Sequence, residues 1–484
     1  MKKTILSICI ILAAVSAAKA QEFTTSYFLD NNLYSYRINP AIPGEKGFVG
    51  FAISNVNLSL GSNTGINAFL YPRDGKLVTG LHSSVSSSEF IGNMPKTLRM
   101  DQVLNENLLA IGFWTKKSFH NIELNVKEDI FAGLPRDMFE MFKCGSNPYP
   151  YDISNTRLSV KSYVEVAYGY TRKINDKFSV GGRLKFLVGL AAGDVLFNKG
   201  DLTVNGNQVS YDLDARLRLS TTLLNVNMGV RKDDPEIFDF STLRMDIGDI
   251  KPCGLGGAVD LGMTYKPVKD LTLSFSVIDL GGISWNYDIV GKSTGSDSFT
   301  GETIKSDGTI KGDLKQFTDN LQKLAEFRKV EGEDKAFNML SCTLHLGARY
   351  FMPFYDRLSV GLLASYRIDK FNPCLGAKIG ATVTPVDWLS LTGNYGINSY
   401  GKNYGMALSL NALNFNFVLG YEGYSGKISN VQVADILSLV TPMDSFQNMV
   451  KLGVNITFGK RHNGFKSLSD SFIHGKKAVE ENGE

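Results

Sequence analysis

The stretch 449–459, near the end of the chain, alternates strictly between two kinds of side chain. Its even-numbered positions are apolar: Val450, Leu452, Val454, Ile456 and Phe458. Lysine, glycine, asparagine and threonine occupy the odd positions between them. Because successive side chains of a β-strand point to opposite faces, this stretch predicts a strand with one apolar and one polar face. Such a strand suits either a packed soluble core or a wall between lipid and water.

The same two-sided pattern recurs along most of the chain. Clear examples are residues 158–170, 178–190, 343–350, 358–367 and 375–384. Short turns rich in Gly, Asn, Asp or Pro separate neighbouring segments, which is typical of hairpins and antiparallel order. We therefore predict an all-β fold, a transmembrane antiparallel β-barrel of about 14 strands over residues 47–459.

The remaining segments have other roles. Residues 1–20 have the basic start, short apolar stretch and A-x-A site of a secretory signal, so we expect cleavage after Ala20. Residues 21–46 contain prolines and several aromatics, and we expect this lead-in to pack against the rest of the protein. We interpret 286–340 as a long polar insertion and 460–484 as a polar tail.

Charge and hydropathy exclude two classes of protein. The whole chain has 51 Lys and Arg against 48 Asp and Glu, but residues 1–20 hold three Lys and no acid, so the excess belongs to the export signal. A nucleic-acid-binding protein needs a basic footprint, which the mature chain lacks. After residue 20 no run approaches the roughly 18–20 apolar residues of a membrane helix.

Charged residues in the middle of strands favour a barrel in a membrane. A secreted sandwich explains the alternation as well, but the closing strand ends on Phe458 close to the C-terminus, the usual place of a barrel assembly signal. We predict the outer membrane of a Gram-negative bacterium, with outer-membrane lipid as a partner. The side chains expected to face the lumen are Lys161, Glu165, Arg183, Lys185, His345, Arg349 and Arg367.

Three segments break the strand pattern and predict short helices in loops. These are residues 96–108, a segment within 128–143 that begins near Pro135, and an amphipathic stretch at 314–327.

Several short motifs carry a resemblance. Asn39-Pro40-Ala41, the Gly-rich run 254–267 and the run 276–285 resemble outer-membrane barrels of the FadL and PorV type. Residues 134–139 and 344–350 resemble motifs of an uncharacterised family of exported Gram-negative proteins. The similarity to that family extends over nearly the whole mature chain. The resemblance implies about 14 strands with the N-terminal segment folded inward as a plug, and it supplies no substrate.

We find no constellation that indicates an enzyme. Gly291–Gly295 matches the letters of a G-x-S-x-G nucleophile motif, but we expect it in a polar loop rather than the strand–turn–helix setting that the motif needs. His345 is better interpreted as a hydrogen-bonded lumen wall residue than as a catalytic base. No spacing fits a metal site, so we predict neither metal nor cofactor.

Four residues are the candidates for a ligand or plug role: Asn39, Pro40, Asp260 and Asp279. Either the two aspartates contact a ligand or gate, or they pair with lumenal Arg and Lys or fix a turn. Asn39-Pro40 is expected to shape a plug or kink.

Two functions follow as hypotheses. The first is transport of a hydrophobic or amphipathic small molecule through a plugged barrel, which the FadL-type resemblance implies. The second is a non-catalytic shuttle or scaffold for exported proteins, which the PorV-type resemblance implies.

Overall fold

The computed structural model describes residues 23–460 apart from short gaps and one longer one. The gaps are 74–75, 145–148, 206–207, 223, 243, 248–250, 301–325, 370–372, 400, 426–427, 435–436 and 443. The expected signal peptide, most of the expected helix at 314–327 and the tail beyond residue 460 lie outside the described residues.

Within the described part of the chain, fourteen antiparallel strands, labelled β1 to β14, close into a barrel. β1 has two segments, Gly47–Phe51 and Val56–Ser62. The others are β2 Thr97–Thr115, β3 Ser118–Pro135, β4 Arg157–Lys173, β5 Phe178–Asn205, β6 Gly254–Val268, β7 Leu271–Asn286, β8 Cys342–Met352, β9 Tyr355–Ile368, β10 Cys374–Val386, β11 Leu389–Asn398, β12 Gly401–Ala412, β13 Phe415–Ser425 and β14 Phe446–Phe458.

Each strand pairs with the next one in the chain, and β14 returns to pair with both segments of β1. Val56 lies opposite Leu452, for example, and Gly47 lies opposite Phe458. The ladder of backbone hydrogen bonds therefore runs around the whole barrel, as a wall in hydrocarbon requires. The predicted all-β barrel of about 14 strands is confirmed.

The exposure pattern of the wall is the reverse of that in a soluble protein. Leu184 and Met406 are 66% and 67% exposed on the outside, whereas Arg183 and Lys185, the chain neighbours of Leu184, point inward and are 3% and 5% exposed. The same holds in β14, where Val450 and Ile456 are exposed and Lys451 is buried. Apolar side chains cover the outside because the even positions of these strands point outward and the polar ones point inward.

The two ends of the barrel differ in their connections. The links after β2, β4, β6, β8, β10 and β12 have two to four residues each, and they define the short-turn end. The opposite, long-loop end carries the connections 63–96, 136–156, 206–253 and 287–341.

The sheet also extends past the barrel at the long-loop end. The distal half of β5 pairs with the strand Gln208–Thr221, and this strand pairs with Ile289–Thr300, which continues β7. Further short strands at this end are Leu70–Arg73, Lys76–Thr79, Tyr149–Asp152, Leu224–Asn227, Arg244–Ile247, Arg328–Lys329, Lys335–Met339, Ile428–Ala434 and Leu437–Pro442.

In the described parts of the long loops there are two α-helices, α1 (Ser87–Gly92) and α2 (Arg136–Cys144). Ser86 caps α1 by accepting a hydrogen bond from the Glu89 amide. Met138 and Phe142 of α2 pack on the extended sheet in a cluster of buried apolar side chains. No helix in the described ranges has the length and apolar character needed to cross a membrane.

Two of the local predictions are wrong, and a third is confirmed. Within the expected helix 96–108, residues 97–108 form part of β2 instead, because hydrogen bonds to β1 and β3 on both sides outweigh the local spacing of apolar residues. The helix expected to begin near Pro135 is α2, which begins at Arg136, while residues 128–135 before it belong to β3. Gly291–Gly295 lies in the strand Ile289–Thr300 instead of a polar loop.

Candidate functional site: the lumen and its plug

Residues 23–46, named the plug, lie inside the barrel at the short-turn end. Two short 3-10 helices, Thr24–Tyr27 and Ser35–Arg37, are the regular elements of this segment. Its large aromatic side chains are all at most 3% exposed: Phe23, Tyr27, Phe28, Tyr34 and Tyr36. They pack against small or apolar wall residues, as Phe28 does against Leu363. Burial of these rings gives the plug its position, because the segment has little backbone ladder of its own.

Asn39 and Pro40 attach the plug to the wall through hydrogen bonds. The Asn39 amide donates to the backbone carbonyls of Met263 and Phe275, at 3.2 and 3.1 Å, and so bridges β6 and β7. The side-chain oxygen Oδ1 of Asn39 accepts a hydrogen bond from the backbone amide of Ala41 at 2.9 Å, which fixes the turn that precedes β1. The Thr171 hydroxyl donates to the Pro40 carbonyl at 2.6 Å. The predicted plug candidates thus contact three different wall strands.

An ionic network joins the plug to the wall on one side of the lumen. Arg37 of the plug binds Glu123 of β3 at 3.0 Å. Glu123 also contacts Arg183 of β5, and Arg183 reaches Asp260 of β6 at 3.2 Å. Arg37, Glu123, Arg183 and Asp260 are all less than 5% exposed. Buried charges of this kind are stable only when they are paired and hydrogen-bonded, and here each has a partner.

The network continues toward the long-loop end through Lys185. Its ammonium group lies 2.7 Å from Asp260 and 2.5 Å from Asp279, and Lys127 lies 2.8 Å from Glu165. The complete set is four cations and four carboxylates: Arg37, Lys127, Arg183, Lys185, Glu123, Glu165, Asp260 and Asp279.

Asp279 also shapes the backbone of the wall. It takes a left-handed conformation with φ of 59° inside β7. There the pairing with β6 shifts register between Val259 and Leu261, so β7 carries a bulge. The Asp279 amide donates to the carboxylate of Asp260 at 2.7 Å, which ties the bulge to the network. The two aspartates therefore pair with lumenal Lys and Arg side chains and lie together at the bulge.

On the far side of the lumen the plug makes a second ion pair, in which the plug supplies the carboxylate and the wall supplies the cation. Asp30 of the plug binds Arg349 of β8 at 2.7 Å, and Thr384 of β10 donates to the same carboxylate at 2.8 Å. A third attachment lies nearer the N-terminus, where Thr24 and Thr25 donate to the carboxylate of Glu422, which also contacts Lys378. The plug thus presents a cation to one wall and an anion to the other.

A cavity lies in the lumen beyond the plug. Charged side chains of both signs line it beside apolar ones. The lining includes Asn57, Ser59, Val103, Lys127, Asp129, Lys161, Tyr163, Ile278, Asp279, Leu340, His345 and Arg367. His345 is buried in this wall, with Nδ1 2.8 Å from the Ser365 hydroxyl. Among the hydrogen bonds and ion pairs of the described residues, no carboxylate pairs with this imidazole.

All seven side chains expected to face the lumen lie inside the barrel in the structure. Glu165, Arg183 and Lys185 join the network, and Arg349 holds the plug. Lys161, His345 and Arg367 line the cavity. Sequence reasoning missed Arg37, Asp30, Glu123, Lys378 and Glu422. Glu123 lies between the outward Ile122 and Leu124, so the alternation did contain a signal for it; the plug residues have no periodicity that indicates a partner.

Comparison with known proteins places the chain in a family. Residues 40–422 match the model of a family of unknown function, DUF5723. No curated protein matches the chain. Similar solved structures include the toluene transporter TodX of Pseudomonas putida, with 10% identity, 89% of this chain and 95% of that chain covered, and a TM-score of 0.41.

Two further solved structures are also similar to this chain. A FadL homologue from Pseudomonas aeruginosa has 11% identity, 92% and 100% coverage of the two chains and a TM-score of 0.43. The translocator domain of the autotransporter NalP from Neisseria meningitidis has 8% identity, 86% and 89% coverage and a TM-score of 0.30. Since the matched residues 40–422 make up most of the chain, and the resemblance to an uncharacterised family is confirmed, this protein belongs to DUF5723.

Proposed function

We propose that this protein lies in the outer membrane of a Gram-negative bacterium and passes a small hydrophobic or amphipathic molecule through its lumen. The apolar outside and the polar inside support the location, because only a lipid environment makes exposed Leu184 and buried Arg183 favourable together. The short-turn end would then face the periplasm and the long loops the cell exterior.

The observation that carries the transport proposal is the cavity above the plug. Its lining combines charged groups such as Lys161 and Asp129 with apolar groups such as Ile278 and Leu340. A molecule with a polar head and an apolar body matches both parts of such a lining. The plug closes the short-turn end beneath it and is held by side-chain contacts rather than by a strand ladder, so its displacement leaves the barrel wall intact.

The test uses whole Gram-negative cells that make the protein. Entry of N-phenylnaphthylamine, a hydrophobic fluorophore that an intact outer membrane excludes, reports passage of an apolar molecule. The Thr25→Cys, Gly405→Cys pair locks the plug, since a Cβ added at Gly405 meets the Thr25 hydroxyl. The four cysteines of the mature chain, Cys144, Cys253, Cys342 and Cys374, are free and are replaced by Ser for this experiment.

We expect the fluorophore to enter cells with the reduced pair, and entry to stop on oxidation and resume on reduction. The same cysteine-free barrel without the Thr25–Gly405 pair is the control, and it should be insensitive to oxidation. Entry no faster than in cells without the protein, with the barrel folded in the membrane, contradicts transport. Co-purification of exported proteins with such an impermeable barrel would favour the shuttle alternative.

A further inference from the structure

The turns at the short-turn end carry an uneven distribution of charge. Within three residues of the links β2–β3, β4–β5 and β6–β7 there are seven basic side chains and two carboxylates, Asp176 and Asp270. The seven, named the basic rim, are Lys116, Lys117, Arg172, Lys173, Lys177, Lys266 and Lys269. When each carboxylate neutralises one of them, an excess of five positive charges remains at these three neighbouring turns.

The remaining turns at this end have no such excess. Within three residues of the links β8–β9, β10–β11 and β12–β13, the charged residues are Asp356, Arg357 and Asp387. Of these, Arg357 and Asp387 form an ion pair at 3.1 Å. Where the chain enters β1 and leaves β14, a single extra positive charge comes from Glu45, Lys46 and Lys460. The positive charge is therefore concentrated on one side of the barrel.

The turns of the basic rim contact one another, so their charges act together. The backbone amide of Lys173 donates to the carbonyl of Lys117 at 3.3 Å, and the amide of Lys266 donates to the carbonyl of Lys177 at 2.8 Å. Lys173 also forms an ion pair with Asp176 at 2.9 Å. The hydrogen bond and charge of Lys173 lower the pKa of Asp176, and the charges of Lys117 and Lys266 lower it further. Lysines of three successive turns therefore act on one carboxylate.

Three lysines of the rim have no partner of their own. Among the described residues, the side chains of Lys116, Lys117 and Lys177 make no ion pair or hydrogen bond, and all three are exposed. Lys116 has a φ of 44°, a left-handed conformation that glycine and asparagine adopt more readily than lysine. The turn itself therefore does not require lysine at position 116, and like charges so close together repel one another until an anion binds.

The outer surface of the wall places the rim at the edge of the membrane. Tyr168 and Tyr170 point outward from β4, and Arg172 follows on the same face, nearer the end of the strand. Tyrosines on the outside of a barrel lie at the level of the lipid headgroups, and a long arginine side chain beyond them reaches the same level. Ile174 and Val268 are exposed among the cations of the rim. The rim thus combines positive charge with apolar surface at the depth where a lipid has both parts.

We infer that the basic rim binds the phosphate groups of anionic phospholipids in the periplasmic leaflet of the outer membrane. The inference rests on the proposed function for the location and orientation of the barrel. Clusters of Lys and Arg beside a membrane attract anionic lipids, and each cation near the surface adds to the attraction. A dissolved phosphate would neutralise the lysines but leave Ile174 and Val268 in contact with water, so a membrane lipid is the better match.

Quenching of tryptophan fluorescence by brominated lipids tests the inference, because it reports which lipid lies next to a chosen site. The barrel is inserted into phosphatidylcholine vesicles that contain brominated phosphatidylglycerol, or brominated phosphatidylcholine as the reference. The protein with Ile174→Trp and Trp388→Phe carries its reporter in the rim. The protein with native Trp388, which is exposed on the opposite side, carries its reporter there. Trp114 and Trp285 are common to both proteins and give the same background.

We expect phosphatidylglycerol to be preferred over phosphatidylcholine at position 174 by at least about fivefold in relative binding constant, because several cations act on one headgroup. At position 388 the preference should stay below about twofold, since the charges on that side balance. High salt should weaken the preference at position 174, because the cations of the rim are exposed.

The rim variant adds Lys116→Asn, Lys117→Gln and Lys177→Gln to the protein with the reporter at position 174. Asparagine tolerates the left-handed φ of residue 116, so the turn is retained. The preference of this variant should fall below about twofold. A control variant removes the same charge from exposed lysines of the long-loop end, through Lys232→Gln, Lys329→Gln and Lys335→Gln. It should keep the full preference.

Three results of the quenching experiment overturn the inference: equal preferences at positions 174 and 388, a preference that survives in the rim variant, or an equal loss in the control variant. Glycerol phosphate, which is the headgroup without acyl chains, should not displace the lipid, and displacement would assign the rim to a dissolved phosphate. Binding of polyglutamate that requires the rim, without a preference for phosphatidylglycerol, would assign it to an acidic protein and refute the lipid site.

The cell-entry test decides the proposed function separately. Fluorophore entry without a lipid preference refutes only the lipid site at the rim, and a lipid preference without fluorophore entry refutes only transport.

Discussion

The guanidinium of Arg37 donates a 3.0 Å hydrogen bond to the carboxylate of Glu123, although 86 positions separate the two residues in the chain. Of the eight charged residues in the lumenal network, Arg37 alone belongs to the plug. The wall supplies four carboxylates and three cations, so it holds one negative charge that the plug neutralises. Seating of the plug therefore completes the charge balance of this network.

Arg37→Gln should therefore destabilise the protein strongly. The change leaves Glu123 buried with Arg183 as its remaining cation, and breaking one partner from a buried pair costs about 3–5 kcal/mol. Urea unfolding in detergent measures the loss, and protease cleavage within the plug should become faster. Lys173→Gln removes an ion pair on the exposed surface and should leave the unfolding midpoint unchanged. A plug that stays protected in Arg37→Gln would show that aromatic packing alone retains it.

The pair of Asp30 and Arg349 predicts a coupled mutant cycle. Asp30→Asn and Arg349→Gln should each lower the free energy of unfolding by about 3 kcal/mol, since each leaves one buried charge unpaired. The double variant leaves no net charge there, so its loss should fall short of the sum by about 2 kcal/mol. Urea titration of the four proteins gives the coupling. Additive losses would mean that Ser359 and Thr384, and not the ion pair, stabilise these side chains.

The wall was predictable from sequence because one simple rule governs it. A strand alternates its faces, so Lys451 between Val450 and Leu452 reports the lumen without any tertiary knowledge. The rule fails for β2, where Leu104 and Leu108 have the spacing of a helix face although both lie in a strand. Pairing with the strands on both sides determines that this segment is a strand, and the residues of the segment itself do not indicate that pairing.

The site was less accessible to sequence reasoning than the wall. Asp260 and Asp279 stand out beside glycines, but the arginine that completes their network, Arg37, lies in a segment without periodicity. Partners separated by tens of residues are set by the closure of the barrel, which no local pattern records.

The outward face gives a prediction that separates lipid from water. Leu184 is 66% exposed, and Leu413, in the link between β12 and β13, is 91% exposed. In water an arginine is tolerated at either position. In a bilayer Leu184→Arg should cost about 2–4 kcal/mol, because residue 184 lies six positions along β5 from the short-turn end and hence near mid-depth. Leu413→Arg should be close to neutral at the membrane edge. Folding titrations into phospholipid vesicles compare the two, and equal costs would contradict the assignment of β5 to the lipid-facing wall.

The bulge in β7 allows backbone strain to be measured apart from charge. Asp279→Ala and Asp279→Gly both remove the carboxylate that Lys185 contacts at 2.5 Å, so both lose the same ion pair. They differ in the backbone, since φ of 59° is unfavourable for alanine and free of strain for glycine. We expect both variants to be less stable than the wild type, with the alanine variant about 1 kcal/mol below the glycine variant in urea unfolding. Asp279→Asn retains a side chain that tolerates the left-handed region and serves as the control for charge alone. If alanine and glycine are equally stable, the bulge relaxes once the carboxylate is gone, and Asp279 then holds the wall in this shape through its contact with Lys185.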